Sequence, residues 1–116
     1  MSGGDRVQLQ PGTLEMLVFQ TLIYGPRHGH GIATTIQRTS EQALLVDHGS
    51  LYPALQRLER SGWIDSEWGV SDHNRRARFY KLTRAGRKKL TAETDKWEKL
   101  VRAVSGVLAM PREQEG

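Results

Sequence analysis

The sequence predicts a mainly α-helical fold with one small β-hairpin, and three observations carry that prediction. The first half of the chain holds three stretches with apolar residues at helical spacing. Two runs of strand-forming residues follow, on either side of the turn-forming segment 71–74. The last third carries a long apolar repeat of three and four residues. A chain of 116 residues is expected to form one domain with a small core.

The first helix is predicted to follow Pro11–Gly12, with Gly12 or Thr13 as its cap, and to end at Gly25–Pro26. It is apolar nearly all round. One face holds Leu14, Leu17, Val18, Thr21 and Leu22, and a second holds Met16, Phe19 and Ile23. In so small a domain, the second face is expected to meet another subunit.

A second helix is predicted over residues 29–40, followed by a link with a short strand at 44–46. The third helix is expected to open at Ser50, as its cap, and to end at Gly62. Pro53 fits there if it lies in the first turn, where its missing N–H costs no hydrogen bond. The core stripe of this helix has the spacing i, i+3, i+4, i+7 and consists of Leu51, Ala54, Leu55 and Leu58.

Strands are predicted over residues 63–70 and 75–82, joined by a turn at 71–74. Trp63 and Trp68 are expected to pack between this hairpin and a helix.

Thr83 is predicted to cap a final helix over residues 84–109. Its apolar repeat consists of Leu90, Thr94, Trp97, Val101, Val104 and Leu108. Because a terminal helix of this length has little of its own domain to pack against, we predict that it mediates dimerisation.

Three helices, a hairpin and a further helix form the element order of a winged helix-turn-helix, in which the third helix reads DNA and the hairpin is the wing. The predicted organisation is a flexible tail over residues 1–10, a DNA-binding domain over 11–83, a dimerisation helix over 84–110 and a second tail over 111–116.

The exposed side of the third helix carries groups that can contact double-stranded DNA. Ser50 and Tyr52 lie near its start, which approaches the groove most closely, and Gln56 suits an adenine edge one turn later. Arg57 suits a phosphate, or an ion pair within its own helix. Half-burial of Tyr52 as a packing residue is the alternative to DNA contact.

The wing is predicted to contact the phosphate backbone through Arg75, Arg76 and Arg78. A solvated strand edge is the alternative role for these arginines. The overall charge agrees with a polyanionic partner, since 17 Lys and Arg oppose 13 Asp and Glu, a formal net charge of +4.

Four segments resemble the signature blocks of PadR-type transcriptional regulators: "GTLEMLVFQTL", "GPRHGHGIA", "GSLYPALQRLERSGWI" and "RRARFYKLTRAGRKKL". The resemblance covers residues 12 to about 108, and the length is similar to that of the short subfamily with a single C-terminal helix. It implies a homodimer, formed through the first and last helices, that binds a pseudo-palindromic operator and represses transcription. His30 departs from the block, which usually has tyrosine there.

The resemblance also suggests an effector site at Trp97. Some multidrug-sensing members of the short subfamily carry a tryptophan on the last helix, and its two copies sandwich flat cationic or aromatic ligands across the dimer. Trp97 lies at a comparable place. A small aromatic ligand is therefore a candidate partner, with simple packing in the dimer core as the alternative.

The four histidines invite comparison with a metal site, but structural zinc sites usually include thiolates and the chain has no cysteine. No metal or other cofactor is predicted. His28 and Gly29 are instead expected to begin the second helix, with Gly31 allowing a close helix approach.

No nucleotide-binding loop or hydrolase motif occurs, so the chain is not predicted to be an enzyme. It has neither a signal-peptide pattern nor an apolar run near the ~20 residues that span a bilayer, which predicts a cytoplasmic protein with no membrane partner.

A winged-helix adaptor that binds an acidic protein, without sequence-specific DNA binding, is the alternative function.

Overall fold

The computed structural model describes residues 7–111, and this part of the chain forms four helices and two small sheets. In chain order the elements are β1 (Val7–Gln8), α1 (Pro11–Leu22), β2 (Arg27–His28), α2 (Gly29–Thr39), β3 (Leu44–Leu45), α3 (His48–Arg60), β4 (Ile64–Val70), β5 (Arg76–Leu82) and α4 (Arg84–Leu108).

The predicted hairpin is the main part of a three-stranded antiparallel sheet. β4 and β5 pair along their full lengths, with Ile64 opposite Leu82 and Val70 opposite Arg76. β2 pairs with the free side of β5, which gives the order β2-β5-β4. The turn has Asn74 in the left-handed region, with φ of +58°, and the backbone N–H of Ser71 donates to the carbonyl of Arg75 at 2.8 Å.

A second, two-stranded sheet brings the start of the described chain against the link between α2 and α3. β1 pairs in parallel with β3, Val7 opposite Leu44. Residues 7–8 are thus part of the fold, which corrects the prediction of a tail over 1–10. The remaining tail residues, 1–6 and 112–116, lie outside the described part.

The core forms around α1, which packs against α2, α3, α4 and β5. This position corrects the prediction that the second apolar face of α1 meets another subunit. Met16 and Phe19 are buried within the domain, and the Phe19 ring meets Trp63 edge-to-face at 6.1 Å between centroids. Both sides of α1 are therefore occupied by the chain itself.

Two predicted helix starts are wrong by a few residues. α1 begins at Pro11, and Gln10 occupies the cap position instead of Gly12 or Thr13. Proline is favoured as the first residue of a helix, because its fixed φ is helical and its missing N–H would have no partner there. α3 begins at His48 and its cap is Asp47, whose carboxylate accepts from the Gly49 N–H at 2.9 Å.

The earlier start of α3 changes the place of Pro53, which lies inside the helix instead of in its first turn. Its missing N–H removes the bond to the carbonyl of Gly49. Gly49 is exposed, so that carbonyl can bind water. Gly62 ends the helix as predicted, with φ of +79°.

α4 leaves the domain after its first turns. Its cap is Thr83 as predicted, with the hydroxyl oxygen accepting from the Gly86 N–H at 2.9 Å. Of its 25 residues only Gly86 and Leu90 are buried, and residues 95–108 are exposed throughout. Within residues 7–111, no helix is both long and apolar enough to cross a membrane.

Candidate nucleic-acid interface

α3 has two chemically different sides. The four predicted stripe residues are 0% exposed and attach the helix to the core: Leu51, Ala54, Leu55 and Leu58. The other side is open to solvent and carries all four predicted reading residues: Ser50, Tyr52, Gln56 and Arg57. The helix is therefore held by its core side while the polar side remains free for a partner.

Tyr52 combines the two roles that the sequence left open. Its side chain is 41% exposed, yet its ring lies against Gly29 at the start of α2. A β-carbon on Gly29 would lie 2.6 Å from the Tyr52 hydroxyl oxygen, whereas one on Gly31 would meet nothing nearer than 3.4 Å. Gly29, and not Gly31 as predicted, is the glycine that allows close approach.

Two predicted reading residues also have partners within the chain. The Ser50 hydroxyl donates to the Asp47 carboxylate at 3.0 Å, so it supports the cap without being the cap. Arg57 forms an ion pair with Glu15 of α1 at 3.0 Å, and not within its own helix. An exposed pair of this kind contributes less than about 1 kcal/mol, so a phosphate can replace it.

The wing is organised around an exposed tryptophan. Trp68 is 56% exposed, which corrects the prediction that it packs between hairpin and helix; Trp63 does pack against the core. The guanidinium of Arg76 lies 4.7 Å from the centre of the Trp68 ring, and that of Arg78 lies 5.7 Å away. Cation–π contacts thus hold two of the three predicted wing arginines.

Arg78 also ties the wing to α3. Its guanidinium pairs with Glu59 at 3.3 Å and donates to the Ser66 hydroxyl at 2.8 Å. Arg75 is exposed, between the turn and β5. These contacts fix the orientation of the wing relative to the exposed side of α3.

Between α3, the start of α2 and the wing lies an open groove of about 870 Å³. Aromatic and cationic side chains line it, among them Tyr52, Trp68, Arg75, Arg76 and Arg78. Burial raises the pKa of Tyr80 at its base, against the opposing effect of nearby Arg78, so this phenol stays neutral at physiological pH. Tyr80 therefore adds no charge to the groove, and the arginines are its permanently charged residues.

Trp97 lies outside this groove, on the exposed apolar side of α4. It is 44% exposed and borders a shallow depression of about 260 Å³ between α4 and the start of α1. The rest of that apolar side consists of Leu100, Val101, Val104, Val107 and Leu108, all exposed.

A sequence profile of the transcriptional regulator PadR-like family matches residues 18–92, more than half of the chain. The chain belongs to the PadR-like family. It is also 43% identical, over 77 residues, to the transcriptional regulator Rv3488 of Mycobacterium tuberculosis, an alignment that covers 66% of this chain and 70% of that protein.

Solved structures of similar proteins agree with this membership. A PadR-like transcription factor from Bacteroides fragilis superimposes with a TM-score of 0.68 at 28% identity, covering 84% of this chain and 91% of that one. A transcriptional regulator from Clostridium thermocellum superimposes with a TM-score of 0.75 at 25% identity, covering 82% and 92%.

The predicted family and the predicted winged-helix fold are therefore confirmed. The PadR-like chain acts in transcription regulation through DNA and not in catalysis.

In residues 7–111, no three His, Cys, Asp or Glu side chains are arranged to hold a metal ion. The sequence did not predict that Gly29 makes room for Tyr52 or that Trp68 holds the wing arginines. For Trp68 a signal exists, because Arg78 lies opposite it on β5 and Arg76 lies two residues away on the same strand face.

Proposed function

We propose that this PadR-like chain is a homodimeric, cytoplasmic repressor that binds a pseudo-palindromic operator. Each α3 enters the major groove of one half-site, and the two half-sites lie one helical turn, ~34 Å, apart. The observation that carries the proposal is the two-sided α3, which is buried along one stripe and presents Tyr52 and Gln56 beside a groove rich in arginine.

The reading residues divide into base and phosphate contacts. Gln56 reads a base edge, because its amide can bond to adenine with two hydrogen bonds. Ser50 and Tyr52 contact the duplex near the start of α3, and Arg57 exchanges Glu15 for a phosphate. The wing contacts phosphates through Arg75, Arg76 and Arg78, of which Arg76 is oriented by its stacking on Trp68.

The dimer forms mainly through α4. Residues 95–108 of this helix have no neighbour in the described chain that buries them, and their apolar side chains form one stripe. Helix pairing across a seam of three- and four-residue spacing would bury that stripe. α1 takes part only through its start, beside Trp97, because the rest of α1 is used by the domain core.

Trp97 serves as the effector contact in this proposal. A flat aromatic ligand held between its two copies changes the spacing of the two α3 helices and releases the operator. Such a ligand must bind the two dimer geometries with unequal affinity.

We expect flat aromatic cations to release wild-type protein from its operator and to have no effect on Trp97→Ala, with both proteins first shown to bind the operator equally. Equal release of both proteins would exclude Trp97 from the effector site.

Two substitutions test the reading surface itself. Gln56→Ala is expected to weaken binding to the operator by about 1–3 kcal/mol and to leave binding to a shuffled duplex unchanged, because it removes a base contact. Arg76→Ala is expected to weaken both duplexes equally and to reduce the slope of log affinity against log salt by about 1. Fluorescence anisotropy titrations with both duplexes measure these effects.

The two variants are controls for each other, since one removes a proposed base contact on α3 and the other a proposed phosphate contact on the wing. If neither variant changes binding, the proposed surface does not read DNA. If the wild-type protein binds both duplexes weakly and equally, the adaptor function replaces the repressor.

A further inference from the structure

Imidazole rings form a second surface at the edge of the groove, where the starts of α2 and α3 meet. The ring of His30 lies 6.2 Å from that of His48, which lies 5.6 Å from the Tyr52 ring, measured between centroids. His30 and His48 are both exposed. We refer to these two residues as the histidine pair.

The pair differs from the neighbouring His28. The Nδ1 of His28 accepts from the Gly31 N–H at 3.0 Å, and its ring packs edge-to-face on Phe79 at 5.3 Å. His28 is thus the cap of α2. Within residues 7–111, no hydrogen bond or ion pair occupies the imidazole nitrogens of the histidine pair, so they are available to a partner.

The surroundings of the pair carry an excess of positive charge. Five cations line the two cavities that His30 also lines: Arg27, Arg38, Arg75, Arg76 and Arg78. Arg78 is paired with Glu59, and Arg27 donates to the Thr21 carbonyl. The acids are Asp47 before α3, whose carboxylate is hydrogen-bonded in its own turn, and Asp72 in the wing turn. The other titratable neighbours are His28, His73, Tyr52 and Tyr80. An anion is therefore the partner that this surface favours.

The course of a bound duplex supplies such an anion. When α3 lies in the major groove, the preceding helix of a helix-turn-helix crosses the DNA backbone. The histidine pair lies at the start of that preceding helix and at the start of α3. A backbone phosphate at this junction would be within the reach of both imidazoles.

We propose that His30 and His48 bind a DNA phosphate as imidazolium ions, so that the affinity of the protein for DNA rises as the pH falls through the neutral range. This inference rests on the proposed DNA-binding function and adds to it one phosphate, contacted by both side chains. Histidine is the side chain whose ordinary charge change falls between pH 5 and 8. The protonated ring has a positive charge and two N–H donors, whereas the neutral ring has one donor.

The test compares affinities for the operator and for a shuffled duplex at pH 6.0 and pH 8.0, at constant ionic strength. Wild-type protein is expected to bind both duplexes about tenfold more tightly at pH 6.0, and its log–log salt slope is expected to be steeper there by about 1, because one phosphate is neutralised. The double variant His30→Gln/His48→Gln is expected to bind with the same affinity at both pH values. The variant His30→Lys/His48→Lys is expected to bind tightly at both.

His73→Gln is the matched control, because it removes one imidazole from the same groove but not from the pair. It should keep the pH response, and thermal unfolding should show that all variants remain folded. A pH response that persists in the glutamine double variant would overturn the proposal. The operator preference of wild-type protein at pH 8.0 tests the proposed function separately, because phosphate contacts change both duplexes alike.

Discussion

A Val104→Asp variant is expected to be a folded monomer that binds the full operator at least about 100-fold more weakly than the wild-type dimer. Val104 is 46% exposed in the middle of the apolar side of α4, where the proposed pairing buries it. An uncompensated carboxylate in that interface would cost several kcal/mol. Loss of the dimer also removes the gain from binding two half-sites at once. Light scattering gives the mass, and anisotropy gives the affinities for the full operator and a half-site.

Gly106→Asp is the matched control for this experiment. It introduces the same charge two residues further along α4, about 200° around the helix from Val104, and a β-carbon there meets no other atom within 4 Å. This variant is expected to remain dimeric and to bind the operator. A Val104→Asp protein that stays dimeric would exclude the apolar side of α4 as the dimer interface.

A Gly86→Ala variant is expected to lose roughly 3 kcal/mol of the free energy of unfolding. Gly86 lies in the first turn of α4, where a β-carbon would be 2.0 Å from the carbonyl oxygen of Trp63. That oxygen belongs to the backbone and accepts the N–H of Thr83 at 3.1 Å, so it has little freedom to move. Either α4 must shift away from the hairpin or this bond must break. Urea denaturation followed by circular dichroism measures the loss.

Gly12→Ala is the comparison for Gly86→Ala, because a β-carbon on Gly12 in the first turn of α1 has nothing within 4 Å. Its effect on the free energy of unfolding is expected to be within about 0.5 kcal/mol. If the two alanine variants unfold at the same urea concentration, α4 is not held against the backbone at Trp63.

The elements with a strong local signal were predictable. The buried stripe of α3 and the Thr83 cap of α4 were both recognised, since apolar spacing and capping chemistry act within a few residues. The two-residue strands β1 and β2 were missed because so short a strand has no period. Their pairing depends on distant partners, such as Tyr80 opposite Arg27.

The errors concern which neighbour a residue meets. Two apolar faces on α1 correctly indicated burial on two sides, but the pattern cannot tell whether another subunit or the domain itself covers Phe19. Trp68 shares a strand face with Ile64, which is fully buried, yet Trp68 is exposed because the hairpin extends beyond the core towards its turn. Periodicity identifies a shared face, whereas the distance from the core sets the exposure along it.

The candidate site was predictable in its residues more than in its contacts. The exposure of Gln56 follows from the helical spacing of the α3 stripe. The pairing of Arg57 with Glu15 joins residues 42 positions apart, and the stacking of Arg76 on Trp68 depends on the register of the hairpin. Neither contact has a local signature in the sequence.

The most direct measurement for the central claim is an anisotropy titration of the wild-type protein with a labelled duplex from the region upstream of its own gene. A shuffled duplex of the same composition is titrated beside it, and both are measured at two salt concentrations. A sequence-specific regulator is predicted to prefer its operator by ~4–10 kcal/mol, and the preference should persist at the higher salt concentration. Equal binding to both duplexes that disappears at the higher salt concentration would contradict the account.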